Sequence, residues 1–170
     1  MDSAFPAGGR GNPGVTRMAA DRPVDLYHRG MARRSARPSR PPRPAVPAMC
    51  PCGLGVPYAD CCGAFHSGAA AAPTAERLMR SRYSAFAVGD TAYLLRTWHS
   101  STRPPDLELD GSVRWTGLDV LATTGGTAFH SDGTVEFTAH YRIGGETGAQ
   151  HERSRFVREN TEWTYLDAAS

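Results

Sequence analysis

Four cysteines fall within thirteen residues, as Cys50-Pro51-Cys52 and Cys61-Cys62, with Gly53, Gly55 and Gly63 beside them. They are the only cysteines in the 170-residue chain, and such crowding is not a core-packing pattern. Disulfide geometry disfavours internal oxidation twice: a Cys61–Cys62 bridge would be strained, and a Cys50–Cys52 bridge would close a very small ring. Four thiolates around one tetrahedral Zn²⁺ fit better, and the glycines permit the tight backbone that brings both pairs together. The expected metal ligands are therefore Cys50, Cys52, Cys61 and Cys62. Their C-x-C-x8-C-C spacing departs from the two to four intervening residues of ordinary zinc fingers, so spacing alone leaves other readings open. With four protein thiolates on the metal no position remains for water or substrate, and a structural rather than a hydrolytic site is expected.

The segment CPCGLGVPYADCCGAFHSG resembles the SEC-C motif, a small zinc-binding module first recognised at the C-terminus of the protein translocase motor SecA. In that motif the fourth ligand is Cys or His, which places Cys62 in the role with His66 as a substitute. The resemblance extends over roughly residues 50–168. The stretch AAPTAERLMRSRYSAFAVGDTAYLLRTWHSSTRP, the segment HERSRFVREN and the closing aromatic strand are similar to the YchJ-type uncharacterised protein family. Membership would imply a SEC-C motif followed by a cone-shaped helix-and-sheet domain similar to nuclear transport factor 2, ketosteroid isomerase and scytalone dehydratase. The likeness to the SecA tail implies a protein or ribonucleoprotein partner. Unlike some members, this chain has no second cysteine cluster at its C-terminus.

The elements that must position these groups can be read from periodicity. Thr74 is a plausible N-cap, Met79, Tyr83 and Phe86 recur on one helical face, and Gly89 ends the run. Asp90 can cap a second helix with the stripe Leu94, Leu95 and Trp98, stopped by Arg103-Pro104-Pro105. A short turn is expected over Asp106 to Asp110. After Gly111 the period becomes two, most clearly where Val135, Phe137, Ala139, Tyr141 and Ile143 alternate with polar residues. Punctuation at Gly125-Gly126, Asp132-Gly133, Gly144-Gly145 and Asn160 predicts about five short strands joined as hairpins. The fold class is thus α+β: a zinc knuckle over 49–68, then a helix pair packed on a curved antiparallel sheet over 73–168.

Polar residues that could enter a cavity between helices and sheet are Tyr83, Trp98, His99, Tyr141, Glu152 and Ser154. Strand parity decides the last two. With Phe156 facing inward, Glu152 and Ser154 share its side, and Glu152 could pair with Arg82 or His99. The bland reading of Glu152 is a buried, hydrogen-bonded acceptor; the sharper one is a general base raised by an apolar pocket. The aromatic residues Tyr83, Phe86, Trp98, Phe137, Tyr141, Phe156 and Trp163 read as core. No lysine occurs and no dinucleotide, P-loop, nucleophile-elbow or His-Glu-x-x-His motif is present, which removes Schiff-base, P-loop, serine-type and zincin chemistry. A binding or accessory role is expected before an enzymatic one, with a small-molecule binder or isomerase- or lyase-like enzyme as the alternative.

Residues 1–48 hold eight of the thirteen prolines, and nine arginines face only Asp2, Asp21 and Asp25. Such a segment cannot bury enough apolar surface to offset its ordering entropy, so a disordered tail is expected, with nucleic-acid binding as its functional alternative. Met18, Met31 and Met49 stand as later translation starts. No run of eighteen apolar residues and no secretory signal pattern is found, so a cytoplasmic protein is expected. Pairing of two copies through the exposed sheet face would make a homodimer.

Overall fold

A computed structural model describes residues 46–169. The expectations for a disordered, nucleic-acid-binding tail fall on residues outside this range, apart from its last three.

The chain forms α1 (Cys62–His66), α2 (Ala75–Val88), α3 (Thr91–Arg96), then β1 (Arg114–Gly125), β2 (Asp132–Ile143), β3 (Glu146–Glu159) and β4 (Glu162–Ala168). The Thr74 hydroxyl accepts from Arg77 N–H at 3.1 Å to open α2, and Gly89, left-handed at φ 75°, closes it. Asp90 caps α3 by accepting from Tyr93 N–H at 2.9 Å. That helix ends earlier than its apolar stripe suggests. The segment after Arg96 leaves the helix to pair with β4, His99 N–H donating to Tyr165 C=O at 2.8 Å and Tyr165 N–H to Thr97 C=O at 2.9 Å. Residues 106–110 form no regular turn.

The strands make one curved antiparallel sheet in the order β1-β2-β3-β4. There are four long strands rather than five short ones, because Gly125-Gly126 and Asp132-Gly133 are two ends of a single β1–β2 connection. Gly126 and Gly133 meet there so closely that a Cβ on Gly133 would stand 2.5 Å from Gly126 Cα. The β2–β3 turn uses Gly144 and Gly145 at φ 58° and 94°, the positive angles that two-residue hairpin turns require.

Helix α2 lies against β1, β2 and β4. Its Leu78, Met79 and Tyr83 join Leu94, Val135, Phe137, Phe156 and Trp163 in the core. Each such side chain contributes about 1.5–3 kcal/mol by leaving water. On β3, Ser154 and Phe156 are buried while His151, Arg153 and Arg155 are exposed, which is the register with Phe156 inward.

Candidate metal centre

Residues 46–67 are built around a narrow hairpin. Met49 bridges Pro57, Cys50 N–H donates to Val56 C=O at 2.9 Å, and Tyr58 N–H donates to Ala48 C=O at 3.1 Å. The chain then folds over Tyr58, whose carbonyl accepts from Cys61 N–H at 3.1 Å and Gly63 N–H at 2.8 Å. Only glycine fits at position 63, because a Cβ there would lie 2.7 Å from that carbonyl oxygen. The fold sets Cys50 and Cys52 in the hairpin against Cys61 and Cys62 at the start of α1.

All four thiols are buried and free, and their sulfurs lie within 4.8 Å of one another. Cys52 Sγ is 3.6 Å from Cys61 Sγ, which is 4.0 Å from Cys62 Sγ. Thiols donating from Cys52 and Cys62 pull the Cys50 pKa far down, while Cys52 is pushed up to about 11 and Cys62 higher still. Buried sulfurs this close to one another can share a cation in place of their protons. The donor set fits a metal ion.

Helix side chains close the site from behind. Ser84 Oγ lies 3.7 Å from Cys50 Sγ, and Arg77 Nη2 donates to Cys61 Sγ at 3.7 Å. Arg80 Nη1 donates to Cys52 C=O at 3.0 Å, and Arg96 Nη2 to the carbonyls of Phe65 and His66, each at 2.8 Å. His66 stands outside the four-sulfur cluster, with both ring nitrogens engaged. Its Nε2 donates to Ser81 C=O at 2.9 Å, which fixes the tautomer and leaves Nδ1 to accept from the Tyr58 hydroxyl at 2.6 Å. Burial lowers the His66 pKa and so favours this neutral form. Tyr58 is pushed up to about 12, first by burial.

The six cavity candidates do not meet in one place. Tyr83 and Tyr141 flank Trp115, with ring centroids at 5.8 and 5.9 Å. His99 Nδ1 lies 2.7 Å from Ser101 Oγ and its Nε2 3.9 Å from Glu159, so it is not the partner of Glu152. Glu152 instead accepts from Ser154 Oγ at 2.7 Å, and burial raises its pKa to about 7.

Near Glu152 is a residue the sequence reading named only as a partner. Arg82 is 2% exposed and makes no ion pair among the described residues; its Nη1 donates to Leu94 C=O at 2.7 Å and Thr97 Oγ1 at 2.8 Å. Its guanidinium lies 5.1 Å from the Trp98 ring and 4.6 Å from that of Tyr165, and burial lowers its pKa to about 10. Trp98 Nε1 is buried there without a hydrogen-bond partner. The available signal was the position of Arg82 four residues from both Leu78 and Phe86, inside the apolar face of α2.

Comparison with known proteins gives two family matches: "SEC-C motif" over residues 48–64 and "YchJ, middle NTF2-like domain" over 74–168. A UPF0225 protein of Streptomyces avermitilis is 57% identical over 136 residues, covering 80% of this chain and 94% of that protein. One from Streptomyces coelicolor is 59% identical over 118 residues, covering 69% and 92%. The solution structure of a SEC-C motif containing protein from Rhodopseudomonas palustris matches with TM-score 0.63 and 33% identity, covering 72% of this chain and 98% of that one. A crystal structure of a SEC-C motif containing protein from Psychrobacter arcticus matches with TM-score 0.58 and 29% identity, covering 72% and 83%. Among the described residues no helix is long and apolar enough to cross a membrane.

Proposed function

We propose, from the premise that this chain belongs to the UPF0225 family of SEC-C proteins, that it is a zinc-stabilised cytoplasmic adaptor for a protein or ribonucleoprotein partner. The observation that carries the reading is the closed set of four buried thiols, Cys50, Cys52, Cys61 and Cys62. Tetrahedral zinc with Zn–S of about 2.3 Å sets its sulfurs about 3.8 Å apart. The spacings of 3.6 and 4.0 Å bracket that value. A metal so enclosed orders the chain around it and does no chemistry on a substrate. What it orders is a hairpin that turns Met49, Leu54 and Val56 to solvent. In this organisation residues 1–48 are a tail, 49–68 the zinc knuckle and 73–168 the helix-and-sheet domain.

The test is native mass spectrometry and partner capture from the host. One zinc per chain is expected, and Cys61→Ser or Cys62→Ser should release it and abolish capture. Capture that survives metal loss refutes the adaptor role. A second reading, a small-molecule site in the helix-and-sheet domain, is favoured by Glu152, Arg82 and the unpartnered Trp98 Nε1. Its mark would be a metabolite that co-purifies with the protein and is lost in Glu152→Gln while zinc stays bound.

A further inference from the structure

Beside the knuckle lies a groove of about 470 Å³ walled by Pro47, Pro51, Ala87, Val88, Val113 and Trp115, with Arg114 its one charged residue. Arg114 stands directly across the β1–β2 ladder from Arg142, and both are exposed. Like charges opposite one another on a sheet repel. Among the described residues no carboxylate comes within 4.0 Å of either guanidinium. Asp110, close by in the chain, is engaged by the backbone N–H and hydroxyl of Ser112 at 2.9 and 2.6 Å. Two further features adjoin the groove. Strand β1 has a strand neighbour on one side only; Gly53 of the knuckle and Tyr83 meet its other edge at Leu118 and Gly117, so an extended chain could add only along its first residues, beside the groove. Four of the six large hydrophobic side chains that are exposed among the described residues, Val46, Met49, Leu54 and Val56, lie on the hairpin that carries Pro47 and Pro51.

We propose that this groove binds an extended acidic segment of a partner protein, its apolar side chains between the knuckle prolines and Trp115 and its carboxylate between Arg114 and Arg142. The anion relieves the cross-strand repulsion and supplies the missing counter-charge; the strand edge favours a peptide over a small molecule. The inference rests on the adaptor reading and names the chemistry of the partner.

The test uses the full-length, zinc-loaded protein and a fluorescein-labelled octapeptide of alternating valine and threonine ending in aspartate with a free carboxyl group. The control ends in asparagine amide. Anisotropy at low salt is expected to show the acidic peptide binding about fivefold more tightly, as befits exposed charge pairs. Arg114→Gln/Arg142→Gln should erase that preference while zinc content and thermal melting stay unchanged. The Arg114 and Arg142 Nε–H resonances should shift with the acidic peptide and not with the control.

Equal binding of the two peptides, no binding at millimolar concentration, or shifts confined to other residues would overturn the proposal. So would concentration-dependent dimerisation that protects Trp115, which would assign the groove to a second copy. Absence of the acidic preference in the unsubstituted, zinc-loaded protein strikes this inference alone, whereas capture that survives zinc loss strikes the adaptor reading.

Discussion

Residues 74–168 bury Leu78, Tyr83, Leu94, Val135, Phe137 and Phe156 almost completely, whereas residues 46–58 leave Val46, Met49, Leu54 and Val56 in solvent and enclose thiols instead. The first region has an apolar core that offsets its ordering entropy. The second has only the cysteines with Tyr58 against them, too little to fold by burial. The structure shows it held by the α2 and α3 side chains that grip it, around four sulfurs that could hold a metal ion. Stability and exposed apolar surface are thereby separated: the stretch that presents side chains to solvent is not the stretch that needs them inside.

The contrast can be broken most forcefully at the metal. Chelation or Cys52→Ser is expected to collapse the amide dispersion of residues 46–68 while leaving that of β2 and β3 intact, since structural zinc binding supplies on the order of 10 kcal/mol to such modules. A knuckle that stays dispersed without metal would end the distinction. In the other region, Phe137→Ala, at a position 0% exposed, should cost about 3–5 kcal/mol in chemical denaturation with metal content unchanged.

A third test is the pH dependence set by Glu152. Its folded pKa of about 7 lies above the ordinary value, so the folded state binds the extra proton. Stability is then full below the unfolded pKa near 4.5 and falls as pH rises through 7. Glu152→Gln should remove that slope and stabilise the protein above pH 7 by about 3 kcal/mol, read from urea melts at pH 5 and 8.5. The smallest effect is expected at the seam. His66→Ala leaves Ser81 C=O and the Tyr58 hydroxyl without their partner, at about 1–3 kcal/mol, and should lower metal affinity more than it lowers the melting point of the sheet.

What could be read from the sequence was local. Caps at Thr74 and Asp90, the left-handed stop at Gly89, the period of two along β2 and the inward register of Phe156 all rest on neighbours a few residues apart. The strand count failed because turn residues mark the ends of a connection without saying which ends belong together. The grip on the knuckle was invisible for a different reason: Arg80 to Cys52 C=O and Arg96 to Phe65 C=O join residues 28 and 31 apart through backbone carbonyls, which no residue type announces. His66 offered a ligand by its chemistry, yet its two nitrogens were already engaged by Tyr58 and Ser81. Arg82 broke the apolar pattern of α2, and only the fold reveals that carbonyl and hydroxyl acceptors and two aromatic rings receive it.

The segment that recurs among proteins as a motif, residues 48–64, is shorter than the piece that could be transplanted. Grafting it onto another scaffold would leave behind Arg77, Arg80 and Ser84, with the contacts that restrain the Cys61 and Cys50 sulfurs and the Cys52 carbonyl, and would cut α1 before Phe65 and His66, which Arg96 and Ser81 hold. A portable version would have to carry the facing turns of α2 and α3 as well, so the unit an engineer can move runs to about Arg96.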